Sequence, residues 1–225
     1  MIDSSKCWLK DVCSQCDCNG FCVRLFKLDY LYSQANIELP QRKYKDLYTD
    51  VGNTNDKEQF TKLKAISQNI EEFVTSGGNL YIHSQICGNG KTAWALRLVQ
   101  EYFNRIWYKS ELKCRALFIS VPKLLIALKN NIDEKDEYVQ HVINNILQAD
   151  LVIWDDIATK QTTVFESEHL FSMIDSRINA GKANIFTSNL SDADLHTALG
   201  DRLHSRICNM SLDIEFTGSD KRGLK

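Results

Sequence analysis

The sequence predicts an α/β fold in which helices cover both faces of a parallel β-sheet, preceded by a small cysteine-rich module. Three observations support this fold class. Short apolar segments alternate with segments of helical periodicity, a glycine-rich turn at residues 84–92 joins one apolar segment to a helical one, and five of the eight cysteines lie between Cys7 and Cys22. We divide the 225 residues into an N-terminal module and connector, residues 1–50, and a main domain, residues 51–225.

The overall charge and hydropathy argue against a membrane protein and against nucleic-acid binding that is driven by net charge alone. The formal net charge is -2 with 25% charged residues, so no global field draws the chain to nucleic acid or to a membrane surface. Every apolar run is shorter than the roughly 20 residues that span a bilayer. The N-terminal segment MIDSSKCWLK also lacks the apolar core of a secretory signal. We therefore expect a cytoplasmic protein without a membrane partner.

The main domain is predicted to begin with a helix, a strand and a second helix. Apolar residues at helical spacing begin near Asp56, and the pair Gly77 and Gly78 is expected to end this helix. The segment NLYIH follows as a short strand and SQICGNGKT as a turn. An amphipathic helix then extends to Ile106.

Further strands and helices alternate along the rest of the chain. RALFISV is predicted as a strand, and Pro122 opens the next helix because proline suits the first helical positions. A helix that ends near Leu147 leads into DLVIWDD, which is apolar on both faces as a central parallel strand is. SEHLFSMIDSRINAGK is predicted as a helix that ends near Gly181, and ANIFTSN as another buried strand.

The turn GNGKT has the residue types of a phosphate-binding loop. Glycines let backbone N–H groups turn inward, and the following helix contributes a positive partial charge at its N-terminus. Lys91 can reach the β and γ phosphates of a nucleotide, and the Thr92 hydroxyl can bind Mg²⁺. The candidate phosphate-binding residues are Gly88, Asn89, Gly90, Lys91, Thr92 and Ala93. The full pattern would have glycine in place of Gln85, and Ser84 is the alternative residue for that role.

Polar side chains follow two of the predicted strands. Asp155 and Asp156 end the segment LVIWDD, and Asn189 ends the strand after it, so all three are expected beside the phosphate loop. Asp155 would hold Mg²⁺ directly or through water, Asp156 would polarise the attacking water, and Asn189 would orient water at the γ-phosphate. Each of these residues has a simpler alternative as a turn or helix-capping residue.

Together with GDRLHSRI at residues 200–207 and TGSDKR at 217–222, these motifs resemble the helicase-loader branch of the AAA+ ATPases, which includes DnaC and DnaI. The resemblance covers roughly residues 58–222 and includes the segments FISVPKLL, RINAGKANIFTSN and LGDRLHSRI. It implies an AAA+ P-loop ATPase with ATP and Mg²⁺ as cofactors. The transposition helper ATPase IstB shares much of this pattern.

The resemblance also implies roles for two arginines. Arg206, with Arg202 on the same helix face, matches an arginine finger that reaches ATP in a neighbouring subunit, which implies self-association through the ATP site. Solvated arginines or ion pairs within the chain are the alternative. Arg222 matches a second sensor that contacts nucleotide in its own subunit, and a charged C-terminal tail is its alternative.

The leading hypothesis is an ATP-dependent helicase loader that acts in the initiation of DNA replication. Its expected partners are a replicative DNA helicase hexamer and single-stranded DNA, in a bacterial cell or a phage-infected host. One alternative is an IstB-like transposition helper that assembles on duplex DNA. Another is a zinc-containing adaptor whose phosphate loop has lost nucleotide binding, as Gln85 suggests.

The cysteine cluster predicts a metal site in the N-terminal module. Zn²⁺ takes four ligands in a tetrahedron, and a C-x-x-C pair supplies two of them from one turn. The candidate zinc ligands are four of Cys7, Cys13, Cys16, Cys18 and Cys22. Iron–sulfur ligation and unligated thiols are the alternatives. The segment FCVRLFKLDYLYSQ that follows is interpreted as the small core of the module, with a partner-binding helix as the alternative.

Overall fold

The computed structural model describes residues 7–9, 13, 21–42, 55–130, 136–158 and 161–221. Over these residues it has an α/β fold with a parallel five-stranded sheet flanked by helices, as the alternation of segments predicted. The helices are α1 (Val23–Gln34), α2 (Leu39–Arg42), α3 (Lys57–Gln68), α4 (Ile70–Thr75), α5 (Lys91–Ile106), α6 (Val121–Asn130), α7 (Glu137–Asn145), α8 (Val164–Asn179), α9 (Asp192–Leu199) and α10 (Asp201–Cys208). The strands are β1 (Asn79–His83), β2 (Ala116–Ser120), β3 (Leu151–Asp155), β4 (Ala183–Ser188) and β5 (Leu212–Glu215). None of the helices in these segments has the length and apolar character that a membrane span requires.

The order of the strands sets the position of the predicted site. Neighbouring strands pair in parallel in the order β2, β3, β4, β1, β5. β4 therefore lies between β1 and β3. The segments that follow these three strands emerge at the same edge of the sheet, where open α/β sheets bind ligands.

Side chains of the strands alternate between two apolar cores, one on each face of the sheet. Leu80 and Ile82 of β1 belong to the first core, and Tyr81 between them belongs to the second. Helices α1, α3, α4 and α5 pack on the first face, and α6 to α10 pack on the second. All five residues of β3 are buried, as predicted for a strand that is covered on both faces.

The first predicted helix of the main domain is divided into two in the structure. α3 ends at Gln68 and α4 begins at Ile70, and Asn69 between them has φ −116° and ψ 32°. The Asn69 side chain donates a hydrogen bond to the backbone oxygen of Ala65 at 3.1 Å. Asparagine side chains favour such local bonds at helix ends. Both helices bury an apolar face, which is why the spacing alone predicted one continuous helix.

The strand β5 is absent from the sequence-based prediction. It pairs with β1 at the edge of the sheet, and Ile214 is the one residue of this strand that is buried. A strand with a single buried apolar residue has no alternating apolar and polar pattern from which it could be predicted. Its pairing with β1 therefore depends on the tertiary fold.

Helix α1 packs against the sheet domain. Leu28, Leu31 and Tyr32 of this helix are buried in the first core, and the Tyr32 ring meets the ring of Phe103 in α5 edge to face, with centroids 5.0 Å apart. The N–H of Phe118 in β2 also donates a hydrogen bond to the backbone oxygen of Ala35, the residue that follows α1, at 2.8 Å. The apolar face of α1 thus contributes to the main core. The domain boundary at residue 50 stays a prediction, since residues 43–54 lie outside the described segments.

Candidate functional site

The glycine-rich turn connects the carboxyl end of β1 to the N-terminus of α5, which begins at Lys91. Gly88 and Gly90 have positive φ values of 75° and 105°, a backbone conformation that glycine adopts without strain. A Cβ atom added to Gly90 would meet nothing within 4 Å, so the backbone angle and not crowding requires glycine there. Asn89 lies between the two glycines and is fully buried. The turn thus has the backbone shape that the phosphate-loop interpretation needs.

Ser84 stabilises the turn next to Gln85, the position where the glycine pattern is incomplete. Its side chain is buried, and its hydroxyl oxygen accepts hydrogen bonds from the Ile86 N–H at 3.1 Å and from the Asn89 side-chain amide at 2.7 Å. The neighbouring Gln85 does not have a positive φ, so its backbone needs no glycine. The departure from the glycine pattern therefore leaves the loop unstrained at this residue.

The Lys91 side chain lies inside the loop from which it projects. It is 5% exposed, and its ammonium donates hydrogen bonds to the oxygen of Ile86 at 2.9 Å, to the Asn89 side-chain oxygen at 3.2 Å and to the oxygen of Ser84 at 3.4 Å. Phosphate oxygens are stronger acceptors than these neutral groups because they carry negative charge. Ala93 follows in the first turn of α5, where helix N–H groups face an anion.

The hydroxyl of Thr92 and the carboxylate of Asp155, the two predicted Mg²⁺ ligands, lie in contact, and their role as ligands remains a prediction. Thr92 donates a hydrogen bond to Oδ1 of Asp155 at 2.7 Å, although the two residues are far apart in sequence. Burial raises the pKa of the Asp155 carboxyl, and the hydroxyl groups of Thr92 and Thr187 act in the opposite direction. A hard divalent cation prefers oxygen ligands and compensates the cost of burying a carboxylate, so these residues fit Mg²⁺.

Asp156 and Asn189 are also close together. The Asn189 side-chain amide donates a hydrogen bond to Oδ1 of Asp156 at 2.8 Å. Asp156 has a positive φ of 53°, which is uncommon for a residue other than glycine and is found at many functional sites. The turn after β3 thus directs the second carboxylate toward the amide at the end of β4.

Thr187 links the Asp155 carboxylate to the backbone N–H of Asp156 and was not among the residues predicted from the sequence. Its hydroxyl donates a hydrogen bond to Oδ1 of Asp155 at 2.9 Å and accepts one from the Asp156 N–H at 3.0 Å. The residue is fully buried in β4. In the sequence it looks like an ordinary β-branched strand residue, so no local pattern indicates its contacts. Its position two residues before Asn189 is the only signal that could have suggested a role.

The C-terminal segment runs beside the phosphate loop. The N–H of Lys221 donates a hydrogen bond to the oxygen of Gly88 at 3.0 Å. The Asp56 carboxylate accepts hydrogen bonds from the N–H groups of Thr217 at 2.7 Å and Gly218 at 3.0 Å. These bonds bring the chain to the loop immediately before Arg222, the candidate second sensor, which lies outside the described residues.

The candidate arginine finger lies on α10 and forms an ion pair within the chain. The Arg206 Nε is 2.6 Å from Oδ1 of Asp175 on α8, and its side chain is 37% exposed. The guanidinium of Arg202 lies over the ring of Phe171, 4.2 Å from the ring centroid. The structure thus contains the intrachain ion pair that the sequence left open as an alternative. The role of Arg206 in a neighbouring subunit remains a prediction.

Three of the five candidate zinc ligands can be located. The Cys22 thiol caps α1 by accepting a backbone N–H hydrogen bond at 3.4 Å, and Cys7 and Cys13 pack against the first core. All cysteines of the described segments are free thiols. Cys16 and Cys18 lie outside these segments, so the N-terminal zinc site remains a prediction.

A model of one protein family matches most of the chain. Residues 27–209 match the family described as IstB-like ATP binding protein. The match begins within α1 and ends just after α10, so it includes the phosphate loop, both carboxylates and Asn189. A comparison with curated proteins gave no match.

Solved structures that share this fold include a helicase loader and a putative primosome component. A DnaC helicase loader is 20% identical, with a TM-score of 0.62 over 77% of this chain and 98% of that one. DnaI is 21% identical, with a TM-score of 0.59 over 80% of this chain and 93% of that one. A putative primosome component from Streptococcus pyogenes serotype M3 is also 21% identical, with a TM-score of 0.59 over 77% and 85% of the two chains. At these identities the likeness shows a shared fold, and it agrees with the resemblance to the helicase-loader branch.

Proposed function

We propose, since this chain belongs to the IstB-like ATP-binding protein family, that it binds Mg-ATP between the glycine-rich turn and the carboxyl end of β3 and hydrolyses it. One observation carries this proposal. Thr92 and Asp155, which stand 63 residues apart, meet at 2.7 Å beside the loop that holds Lys91. A hydroxyl and a carboxylate at that position are the ligands that phosphate-loop ATPases provide for Mg²⁺.

Each side chain has a separate task in this proposal. Lys91 and the N–H groups around Gly90 bind the β and γ phosphates, and Thr92 and Asp155 hold Mg²⁺. Asp156, oriented by Asn189, polarises the water that attacks the γ-phosphate. Phosphoryl transfer needs little covalent chemistry from the protein, so accurate positioning of water and metal provides most of the rate enhancement.

Thermal unfolding in the presence of Mg-ATP tests the binding step. A ligand at 100 times its Kd stabilises the folded state by about 2.7 kcal/mol. Lys91→Ala should lose this stabilisation, whereas Asp156→Asn should keep it and hydrolyse ATP slowly. Lys113→Ala is a matched control, because Lys113 precedes β2 at the opposite edge of the sheet. If Mg-ATP does not stabilise the unmodified chain, the chain is an adaptor with a non-functional loop and the proposal is wrong.

We further propose that the ATPase acts as a loader of a replicative helicase. Support comes from the fold shared with a DnaC helicase loader, with DnaI and with a primosome component. In this proposal the ATP-bound chains associate, bind the helicase hexamer and place it on single-stranded DNA, and hydrolysis releases them. Retention of a replicative helicase on the immobilised chain with Mg-ATP, and faster hydrolysis with single-stranded DNA, are the expected results. If the helicase is not retained and single-stranded DNA does not accelerate hydrolysis, the loader role is excluded.

A second candidate function follows from the family match itself. The family is described as IstB-like, and the sequence resemblance implies that IstB is a transposition helper ATPase, so we keep this role as the second candidate. A helper of this kind would assemble on duplex DNA. Stronger ATP-dependent assembly on duplex than on single-stranded DNA, observed by electron microscopy with the two DNAs in parallel, would favour this function over helicase loading.

A further inference from the structure

A cluster of three different metal-binding side chains lies on α9 and α10, outside the proposed nucleotide site. One ligand atom from each of Asp192, His204 and Cys208 lies within 4.8 Å of the other two. Nε2 of His204 is 2.8 Å from Oδ1 of Asp192. His204 and Cys208 are four residues apart on α10, so both side chains project from one face of the helix.

We propose that Asp192, His204 and Cys208 bind one zinc ion, with water in the fourth position. A carboxylate, an imidazole and a thiolate together form a ligand set for zinc, since Mg²⁺ and Ca²⁺ prefer oxygen ligands alone. Zinc sites with three protein ligands retain an open fourth position. The proposal is independent of the N-terminal cysteines and of nucleotide binding.

The distances allow this coordination after small side-chain movements. Ligand atoms around a tetrahedral zinc ion are about 3.3–3.6 Å apart, as the metal–ligand bond lengths require. The hydrogen-bonded contact of 2.8 Å between Asp192 and His204 would therefore lengthen slightly. The Asp192 side chain is 75% exposed and that of His204 is 15% exposed, so an ion can reach the cluster from solvent on the Asp192 side.

Bound zinc would connect the helix that follows Asn189 to the helix that carries Arg206. Asp192 is the first residue of α9 and follows Asn189 closely, and α10 carries Arg206. Because the ion would hold the start of α9 to the middle of α10, it should oppose their separation. Zinc is therefore expected to raise the unfolding temperature of the chain even without nucleotide.

Zinc stoichiometry of the reduced 225-residue chain tests the proposal. His204→Gln and Cys208→Ser should each lower bound zinc by one ion per chain relative to the unmodified protein. His169→Gln and Cys87→Ser are matched controls, since these residues lie outside the cluster, and they should leave the count unchanged. Any zinc at the N-terminal cysteines contributes equally to all these proteins and cancels in the comparison. An equal zinc count in every protein would overturn the proposal.

Asp192→Asn provides a second measurement that does not depend on folding of the other variants. Asparagine at this exposed position still offers an oxygen to His204, so the fold is retained, but it is a poor zinc ligand. Competition with a chromogenic chelator should show zinc affinity at least about tenfold weaker, since even loss of a partner outside the metal's ligands costs 10–100-fold. Unchanged affinity in Asp192→Asn would contradict the assigned ligand set. Mg-ATP stabilisation is measured separately, so either proposal can fail alone.

Discussion

The buried carboxylate of Asp155, which the proposed site requires, lowers the stability of the nucleotide-free fold. Burial raises the pKa of its carboxyl above the ordinary value of 3.8, so the folded chain binds a proton more tightly than the unfolded chain does. The free energy of unfolding therefore decreases as the pH rises from about 3.8 through the raised pKa. At neutral pH the buried charge is a cost, which Mg²⁺ is expected to compensate.

Asp155→Asn should therefore make the nucleotide-free chain more stable and abolish its response to Mg-ATP. Asparagine can still accept the hydrogen bonds from Thr92 and Thr187 but carries no charge. We expect a gain of about 0.5–2 kcal/mol in the free energy of unfolding at neutral pH, measured by urea denaturation. Asp213→Asn, at an exposed carboxylate, should change stability by less than about 0.5 kcal/mol. A destabilised Asp155→Asn chain would contradict this account.

Thr187 is expected to be a positioning residue for the Asp155 carboxylate and for the turn that carries Asp156. Thr187→Val removes the hydroxyl but keeps the shape of the side chain, and Thr187→Ser keeps the hydroxyl. Loss of a hydrogen bond of about 0.5–1.5 kcal/mol predicts a decrease of up to about tenfold in kcat for the valine variant. KM for ATP should change little, because the loop around Lys91 holds the phosphates. Steady-state ATPase assays in which serine and valine variants lose activity equally would exclude a role for the hydroxyl.

At the scale of elements, the start of α8 is fixed by a reciprocal pair of hydrogen bonds. The Thr163 hydroxyl accepts the Glu166 N–H, and the Glu166 carboxylate accepts the Thr163 N–H at 2.7 Å. Lys129 of α6 lies 2.9 Å from the same carboxylate, whose side chain is 2% exposed. The backbone N–H of Thr163 is the main cause that lowers the pKa of Glu166 to about 2, and Lys129 adds to it. The cap thus connects α8 to α6.

Glu166→Ala should lower the free energy of unfolding by about 0.5–2 kcal/mol, the usual cost of a lost cap, and Glu166→Gln by less. The lowered pKa of Glu166 also determines how stability depends on pH. The ionised carboxylate stabilises the fold fully above the ordinary pKa of 4.5, and this contribution is lost as the pH falls toward about 2. Urea denaturation at neutral pH and at about pH 3 should therefore show a smaller pH dependence for Glu166→Gln than for the unmodified chain. The same pH dependence in both chains would be the contrary result.

At the scale of the whole molecule, the intrachain ion pair of Arg206 has to be separated from its proposed role in a neighbouring subunit. A partly exposed ion pair contributes about 0–1 kcal/mol to stability, so its loss alone should hardly affect hydrolysis. Arg206→Ala and Asp175→Ala both remove the pair, but only the first removes the guanidinium. We expect a large loss of ATPase activity, on the order of 10³-fold, in Arg206→Ala and little loss in Asp175→Ala.

Mixing two inactive variants decides whether Arg206 acts between subunits. Lys91→Ala chains keep Arg206, and Arg206→Ala chains keep an intact phosphate loop. A mixture should therefore recover part of the ATPase activity at interfaces where one chain supplies each group. Equal loss of activity in Arg206→Ala and Asp175→Ala, or a mixture no more active than its components, would limit Arg206 to its ion pair with α8.

Local sequence patterns were sufficient to predict the alternation of strands and helices, the turn at Gly88 to Thr92 and the polar ends of β3 and β4. These features are local, since hydrophobic period and turn-forming residues act over a few neighbouring positions. Parallel strands then bring their carboxyl ends to one edge whichever contacts the side chains make. Most of the proposed site could therefore be predicted without coordinates.

Contacts between distant segments depend on the three-dimensional fold and could not be predicted from the sequence. β5 joins the sheet with one buried side chain. The Thr187 hydroxyl binds a backbone N–H 31 residues away and a carboxylate 32 residues away, and Asp56 binds backbone groups 161 and 162 residues away. Such contacts depend on which strands become neighbours and on how surfaces fit, and neither is written in a local window of sequence. The packing of α1 on Phe103 is another contact that the sequence does not determine, because the apolar face of α1 could equally have formed a separate small core.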